Sequence, residues 1–192
     1  MSRVVLASGS PRRREIMQLL DVPFEVIVSD ADESTSSTLA TDVVMELSML
    51  KAVAVSDKLS DNERLIVIGS DTVVAKDNKI LGKPKDKSDA YKMIKSIAGD
   101  VHSVYTGVAI IIKEKGKEEI RKSFYCDTKV FVNPMTEKEI EAYISTDEPY
   151  DKAGAYGIQG RFSRHVSHIE GDYFNVVGLP ISMLYDEIKE YI

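Results

Sequence analysis

The chain has 192 residues, 43% of them hydrophobic and 29% charged, enough for one domain with a full core or for two small lobes. A formal net charge of −6 argues against a duplex-binding protein, which needs a basic face, but leaves room for a local cationic pocket around one small anion. The single Cys126 excludes an internal disulfide and a cysteine-based zinc site, and no stretch approaches the ~18 apolar residues of a membrane span. With a start too short in apolar residues for a signal peptide, the expected compartment is the cytoplasm.

"RVVLA" at 3–7 predicts a short buried strand. A Ser/Gly turn follows, then a helix through Leu20, with Ser10 as N-cap, Pro11 at the first helical position, and Ile16, Leu19 and Leu20 on one face. Residues 24–29 predict a second strand, 30–41 a polar loop, and 42–59 a helix with Val43, Leu47, Leu50 and Ala54 on one stripe. The strongest strand signal is 64–77. A helix at 86–99 follows, with Ser88 as cap and Gly99 as stop. Residues 101–132 predict a hairpin around "KGKE", and Thr136 with Glu139 forms a capping box for a helix at 137–145. A glycine-bearing loop at 151–160, a strand–turn–strand at 166–178 and a C-terminal helix starting at Pro180 complete the chain. Alternating strands and helices followed by antiparallel signals predict an α/β fold with a mixed twisted sheet flanked by helices, taken as one domain over 1–192.

One local rule is broken. Arg12, Arg13 and Arg14 occupy the first turn of a helix, where the macrodipole makes cations least welcome, and Arg13 stands where a capping box would place Glu or Gln. Such a breach inside a well-formed start signal points to function. The turn "LASGSPRRREIM" aims free N–H groups at one point, a natural anion site, and guanidiniums add paired donors for phosphate oxygens. The plainer alternative is three solvated arginines.

Asp71 lies in "LIVIGSDTVV", and a carboxylate within a buried strand is costly unless paired or bound to metal. The alternative is a strand-end aspartate capping a turn. Gly69 lets another segment approach the strand backbone closely. Lys51 shares a helical stripe with Leu47 and Ala54, where lysines commonly snorkel from the edge. Glu33 sits in the acidic loop, and Lys83 has its backbone pinned by Pro84. His165 and His168 are three apart but lack a third ligand, and no nucleophile elbow supports acyl transfer.

Together these stretches resemble the Maf family of nucleoside triphosphate pyrophosphatases. The likeness runs through "LASGSPRRREIM", Glu33, "KA" at 51–52, "GSDTVV" at 69–74, "LGKP" at 81–84, "DEPYDKAGAYGIQG" at 147–160 and "GDYFNVVGLP" at 171–180. It implies two lobes around a cleft, a fold similar to inosine triphosphate pyrophosphatases, a homodimer, and cleavage of a nucleoside triphosphate to monophosphate and pyrophosphate with a divalent cation, Mg²⁺ or Mn²⁺. Asp71 then resembles the catalytic proton acceptor, and Arg12, Thr72 and Gln159 the specificity positions. "DKAGAYGIQG" is similar to the branch acting on dTTP and UTP. "RFSRHVSH" at 161–168 departs from the family's glycine-rich and apolar character there.

In this reading Arg13, Lys51 and Lys83 join Arg12 in stabilising the leaving pyrophosphate, Ser8 and Ser10 hold phosphate oxygens, and Asp71 and Glu33 bind the metal. Which carboxylate is base and which is mainly ligand stays open. The rival readings are a nucleotide-sensing regulatory protein linked to cell division, which binds without turnover, and a phosphatase releasing orthophosphate.

Overall fold

A computed structural model describes residues 2–60 and 64–192. In chain order the elements are β1 (Arg3–Leu6), α1 (Pro11–Gln18), β2 (Phe24–Val26), α2 (Ala40–Ser56), β3 (Leu65–Lys76) and β4 (Lys79–Leu81). They continue with α3 (Lys87–Ile97), β5 (Val101–Lys113), β6 (Ile120–Val132), α4 (Glu137–Ile144), β7 (Val166–Glu170), α5 (Tyr173–Val177) and α6 (Ile181–Ile188). Short 3-10 turns occupy Ala153–Ala155 and Arg161–His165. The strands make one seven-stranded sheet in the order β2-β1-β3-β5-β6-β7, with β4 also on β3. β2, β1 and β3 run parallel, while β3, β5, β6 and β7 pair antiparallel. The expected mixed α/β sheet flanked by helices is what the chain forms.

Strand periodicity divides β3 between two cores. Ile66 and Ile68 pack with Met17, Leu184 and Ile188 on the face covered by α1 and α6. Leu65 and Val67 pack with Ala52 and Val55 of α2 on the other. α2 lies unusually close to the sheet because two glycines lie beneath it. A Cβ on Gly69 would sit 2.2 Å from the Ser48 carbonyl oxygen, and one on Gly107 would sit 2.2 Å from that of Val44. The close approach expected at Gly69 is therefore that of α2.

Several local expectations shift. The buried face of α2 carries Val43 and Leu47 as expected together with Val44, Ser48, Lys51, Ala52, Val55 and Ser56, whereas Leu50 is exposed and Ala54 half-buried. Ser48 and Ser56 carry no signal in a hydrophobic stripe, while Lys51 lies where its spacing from Leu47 puts it, but buried rather than snorkelling from the edge. Leu19 is exposed because α1 ends at Gln18 and Leu19 turns outward as its C-cap. β2 stops at Val26 because its partner β1 ends at Leu6. Asp86, not Ser88, caps α3 by accepting from the Asp89 N–H. The segment after Gly171 is a helix rather than a strand, since the Asp172 side chain caps the Phe174 N–H and Gly178 (φ 125°) ends the turn. The Thr136–Glu139 capping box forms as expected.

β1 ends beside Ile68, and β4 joins β3 only from Val74. Between them the β3 edge from Gly69 to Val73 has no strand neighbour on that side among the described residues. A cleft opens there, at the carboxyl end of parallel β1, where open α/β sheets place ligands.

Candidate active site

The cleft has a volume of about 890 Å³, and Ser8, Ser10, Arg12, Arg13, Glu33, Lys51, Asp71, Thr72, Lys83 and Gln159 all line it. These ten candidates from the sequence thus reach one space, whereas Arg14, His165 and His168 do not line it. That size suits a small organic ligand.

The floor is built from β3 and α2. Asp71 shares a sheet face with Gly69, so the close seating of α2 brings Lys51 onto it: Lys51 Nζ donates to Asp71 Oδ1 at 2.7 Å. The same ammonium lies 3.0 Å from Glu33 Oε2. Lys51 and Asp71 are both buried, while the Glu33 side chain is largely exposed. The ammonium therefore compensates a carboxylate that would otherwise be stranded in the interior. The Glu33 loop is tied down further along by Thr35 and Ser37, whose hydroxyls both donate to Glu46 on α2.

One wall is the start of α1. Ser10 caps the helix by accepting from the Arg13 N–H. The Arg13 guanidinium is spread over three anchors: Nε donates to Gly178 O at 2.8 Å, Nη1 to Ser8 Oγ at 3.1 Å and Nη2 to Thr72 Oγ1 at 2.9 Å. Burial pulls its pKa below the usual arginine value, and the nearby Asp71 opposes that shift. Behind it the hydroxyl directions are fixed. Thr106 donates to Asn175 O, so the Thr72 hydroxyl, 2.9 Å from Thr106, donates to Thr106 while accepting from Arg13. Arg12 instead reaches across the cleft mouth to Asp151 Oδ2 at 3.5 Å. Arg14 faces solvent. The arginine triplet is thus three different environments in three successive residues.

The opposite wall is the 148–162 segment, with Lys83 on the exposed loop after β4. Gln159 is exposed, and no hydrogen bond to its carboxamide occurs among the described residues. Thr72, considered as a specificity position, has its hydroxyl committed to Arg13 and Thr106 and makes no bond to Gln159. Behind this wall Phe162 packs against Tyr143 and Tyr156, and the Tyr156 hydroxyl lies 2.7 Å from His102 Nε2. Burial pushes the His102 pKa down to about 4, with Lys76 adding to the effect.

The departing stretch 161–168 carries the 3-10 turn and β7. His168 stacks on Phe131, and His165 accepts from Arg164. Among the described residues no three of His, Cys, Asp or Glu converge as a metal cluster. Among the cleft residues that escaped the sequence reading are Glu148, Asp151, Lys152 and Tyr156. They lie within the quoted "DEPYDKAGAYGIQG" but carry no local signal of their own.

The sequence profile described as Maf-like protein matches residues 3–191. The chain belongs to the Maf family. Within it, the chain is 50% identical over 191 residues to a protein of Lachnoclostridium phytofermentans named dTTP/UTP pyrophosphatase, covering 100% of this chain and 96% of that one. A Bacillus anthracis protein of the same name is 48% identical over 192 residues, with the same coverage. Among solved structures, the Staphylococcus aureus Ham1 protein is similar at 17% identity and a TM-score of 0.42, covering 68% of this chain and 72% of that one. No helix among the described residues of this Maf protein is long and apolar enough to cross a membrane.

Proposed function

We propose that this Maf protein hydrolyses UTP and dTTP to the monophosphate and pyrophosphate, with the whole chain acting as one pyrophosphatase domain. The observation that carries the reading is the junction of a buried carboxylate, Asp71, with a pre-formed cage of Arg13, Ser8 and Lys51 in one cleft, opposite the free carboxamide of Gln159. Full-length identity to proteins named for that reaction supports the substrate class.

The charges of the cleft bear on a cation. Arg12, Arg13, Lys51, Lys83 and Lys152 face five carboxylates, those of Glu15, Glu33, Asp71, Glu148 and Asp151. Such a cleft is neutral overall, so a triphosphate of about four negative charges needs a counter-cation brought with it. Asp71 and Glu33, already gathered around one ammonium, fit Mg²⁺ or Mn²⁺, which take one or two carboxylates and complete their shell with phosphate oxygens and water. When bound, such a cation neutralises phosphate charge and acidifies water.

The chain's own groups do the rest. Asp71 accepts the proton of the water that attacks the α-phosphorus, and its burial keeps that base away from competing bulk solvent. Arg13 needs no reorganisation at the moment of reaction, because its three fixed anchors already aim the remaining N–H groups. Lys51, Lys83 and Arg12 stabilise the charge that builds on pyrophosphate, and Ser8 and Ser10 hold oxygens at the helix start. Gln159 reads the base.

The test is a nucleotide panel assayed separately for pyrophosphate and orthophosphate, in Mg²⁺, in Mn²⁺ and in excess chelator. Expected is pyrophosphate from UTP and dTTP, lost with chelator and restored by either ion. Saturable binding without turnover would make the protein a nucleotide sensor, and orthophosphate alone would make it a phosphatase.

A further inference from the structure

Gln159 makes no hydrogen bond of its own among the described residues, so its place on the wall depends on what holds the backbone beside it. Immediately after it, the 3-10 turn Arg161–His165 begins with Gly160 as N-cap, a residue with no side chain to satisfy the first free N–H groups. A carboxylate from thirteen residues upstream supplies the cap. Glu148 Oε2 accepts from the Arg161 N–H at 2.8 Å, and Oε1 accepts from the Phe162 N–H at 3.4 Å. The buried Tyr143 hydroxyl donates to Oε1 at 3.1 Å, fixing the carboxylate from the α4 side. Burial, aided by Glu148, raises the Tyr143 pKa, so the phenol stays a donor.

The glycine follows from the carboxylate. A Cβ on Gly160 would lie 2.3 Å from Glu148 Oε1, and its three nearest atoms would all belong to that carboxyl group. The backbone there is extended (φ −99°, ψ −156°), so any residue could adopt it. Gly160 is needed for space, not for conformation. The Glu148 main chain adds a second tie, because its carbonyl accepts from Lys152 Nζ at 2.7 Å while the Lys152 stem lies over Gly157. Residues 157 and 160, on either side of Ile158 and Gln159, are thus both seated on groups that converge at residue 148.

We propose that Glu148 is the positioning residue for base selection: its carboxylate caps the 3-10 turn and thereby fixes where Gln159 meets the base. Both its oxygens are occupied by protein donors, so it acts through Gln159 and not on substrate. This inference rests on the UTP/dTTP reading above.

The experiment measures kcat and KM for UTP and CTP in wild type, Glu148→Gln, Gly160→Ala and the double variant, each checked by thermal unfolding. Glu148→Gln turns one acceptor into a donor facing the backbone N–H groups. Gly160→Ala leaves the carboxylate present but pushes it out of place. Each single variant is expected to raise KM for UTP about tenfold, to keep kcat within about twofold, and to shrink the UTP-over-CTP ratio of kcat/KM about tenfold. The double variant should be no worse than either single one, because both remove the same cap.

If Glu148→Gln does not fold, Gly160→Ala carries the test, since the three atoms nearest its methyl all belong to the movable end of one side chain. Tyr143→Phe, which removes a single donor from the carboxylate, adds a milder third variant. An unchanged UTP-to-CTP ratio in folded variants that still work overturns the inference, as does a fall in kcat without a rise in KM. A wild-type protein that releases no pyrophosphate from UTP overturns the functional reading, and this inference with it.

Discussion

The two walls of the cleft are built on opposite principles. On the proposed phosphate side, Arg13, Thr72, Thr106, Lys51 and Asp71 come from regular strands and helices, are buried or nearly so, and have fixed partners in the protein. On the proposed base side, Gln159 stands on irregular chain, exposed and without a partner of its own among the described residues, and the backbone just after it is held by the Glu148 carboxylate. Chemistry that stabilises developing charge gains from groups that need not move, whereas choosing among bases needs only a few contacts, which a loop can supply. Mutations on the first wall should therefore appear in kcat, and those on the second in KM and in substrate preference.

The strongest test of that division is Asp71→Asn. The change is nearly isosteric and leaves Lys51 an acceptor, so the fold should survive, as circular dichroism would verify. Loss of the proposed general base should lower kcat for UTP by ~10²–10⁴, with more if a bound cation is lost too. Wild-type kcat in the folded variant would make Asp71 structural and erase the contrast between the walls.

Arg13→Lys comes next. Lysine keeps the charge but cannot reach Gly178, Ser8 and Thr72 at once, so the three-point anchoring of the cation is lost. A fall in kcat of about 10²-fold, with little change in KM, is expected. Arg14→Ala should be silent, since Arg14 points to solvent. Equal losses at 12, 13 and 14 would replace the shaped cage by simple attraction.

A third test asks what stands behind the base wall. His102 is buried against Tyr156, and its pKa is pushed down to about 4. The unfolded chain therefore binds a proton more readily than the folded one between about pH 6.5 and 4. Stability is full above that window and falls as the pH drops through it, by up to about 3 kcal/mol. Lys76 strengthens the effect and Asp100 opposes it. The melting temperature of His102→Gln should lie below that of wild type at neutral pH and change less between pH 7 and 5. Parallel pH curves for the two proteins would exclude His102 as the source.

What the sequence disclosed about these walls follows from how local each signal is. The arginine turn was legible because Ser10 and Pro11 mark a helix start within a few residues, and Asp71 because apolar neighbours flank it on both sides. The partnership of Lys51 with Asp71 was not, since it depends on two glycines in different strands lowering α2 onto the sheet. α5 differs from the strand its residues suggest because Tyr, Phe and Val favour strands, whereas the Asp172 cap and the Asn175 bonds to Val104 O and Thr128 Oγ1, which help to hold the turn, depend on distant residues. Glu148 left no trace in spacing, because a cap supplied from thirteen residues away follows no helical or strand period. The base wall, made of such long-range ties, is the part a sequence describes least.

An effect confined to substrate preference falls on that wall, at Gln159. A carboxamide can accept from uracil N3–H and donate to O4, reading the pyrimidine edge with two bonds. Turned by 180°, it suits cytosine equally well, so discrimination needs the amide's orientation or position to be restricted. Thr72 does not impose that restriction, because its hydroxyl is committed elsewhere. Placement by the backbone on either side of the residue is what the structure provides instead. Gln159→Ala should leave pyrophosphate release and kcat for UTP nearly intact, because the phosphate wall is untouched. It should remove ~1–3 kcal/mol of preference for UTP over CTP, the scale of one good bidentate base contact. The measurement is kcat/KM for UTP, dTTP and CTP in both proteins. A collapse of kcat at an unchanged UTP-to-CTP ratio would mean that Gln159 serves the chemistry, and that the two walls are not divided in function as they are in construction.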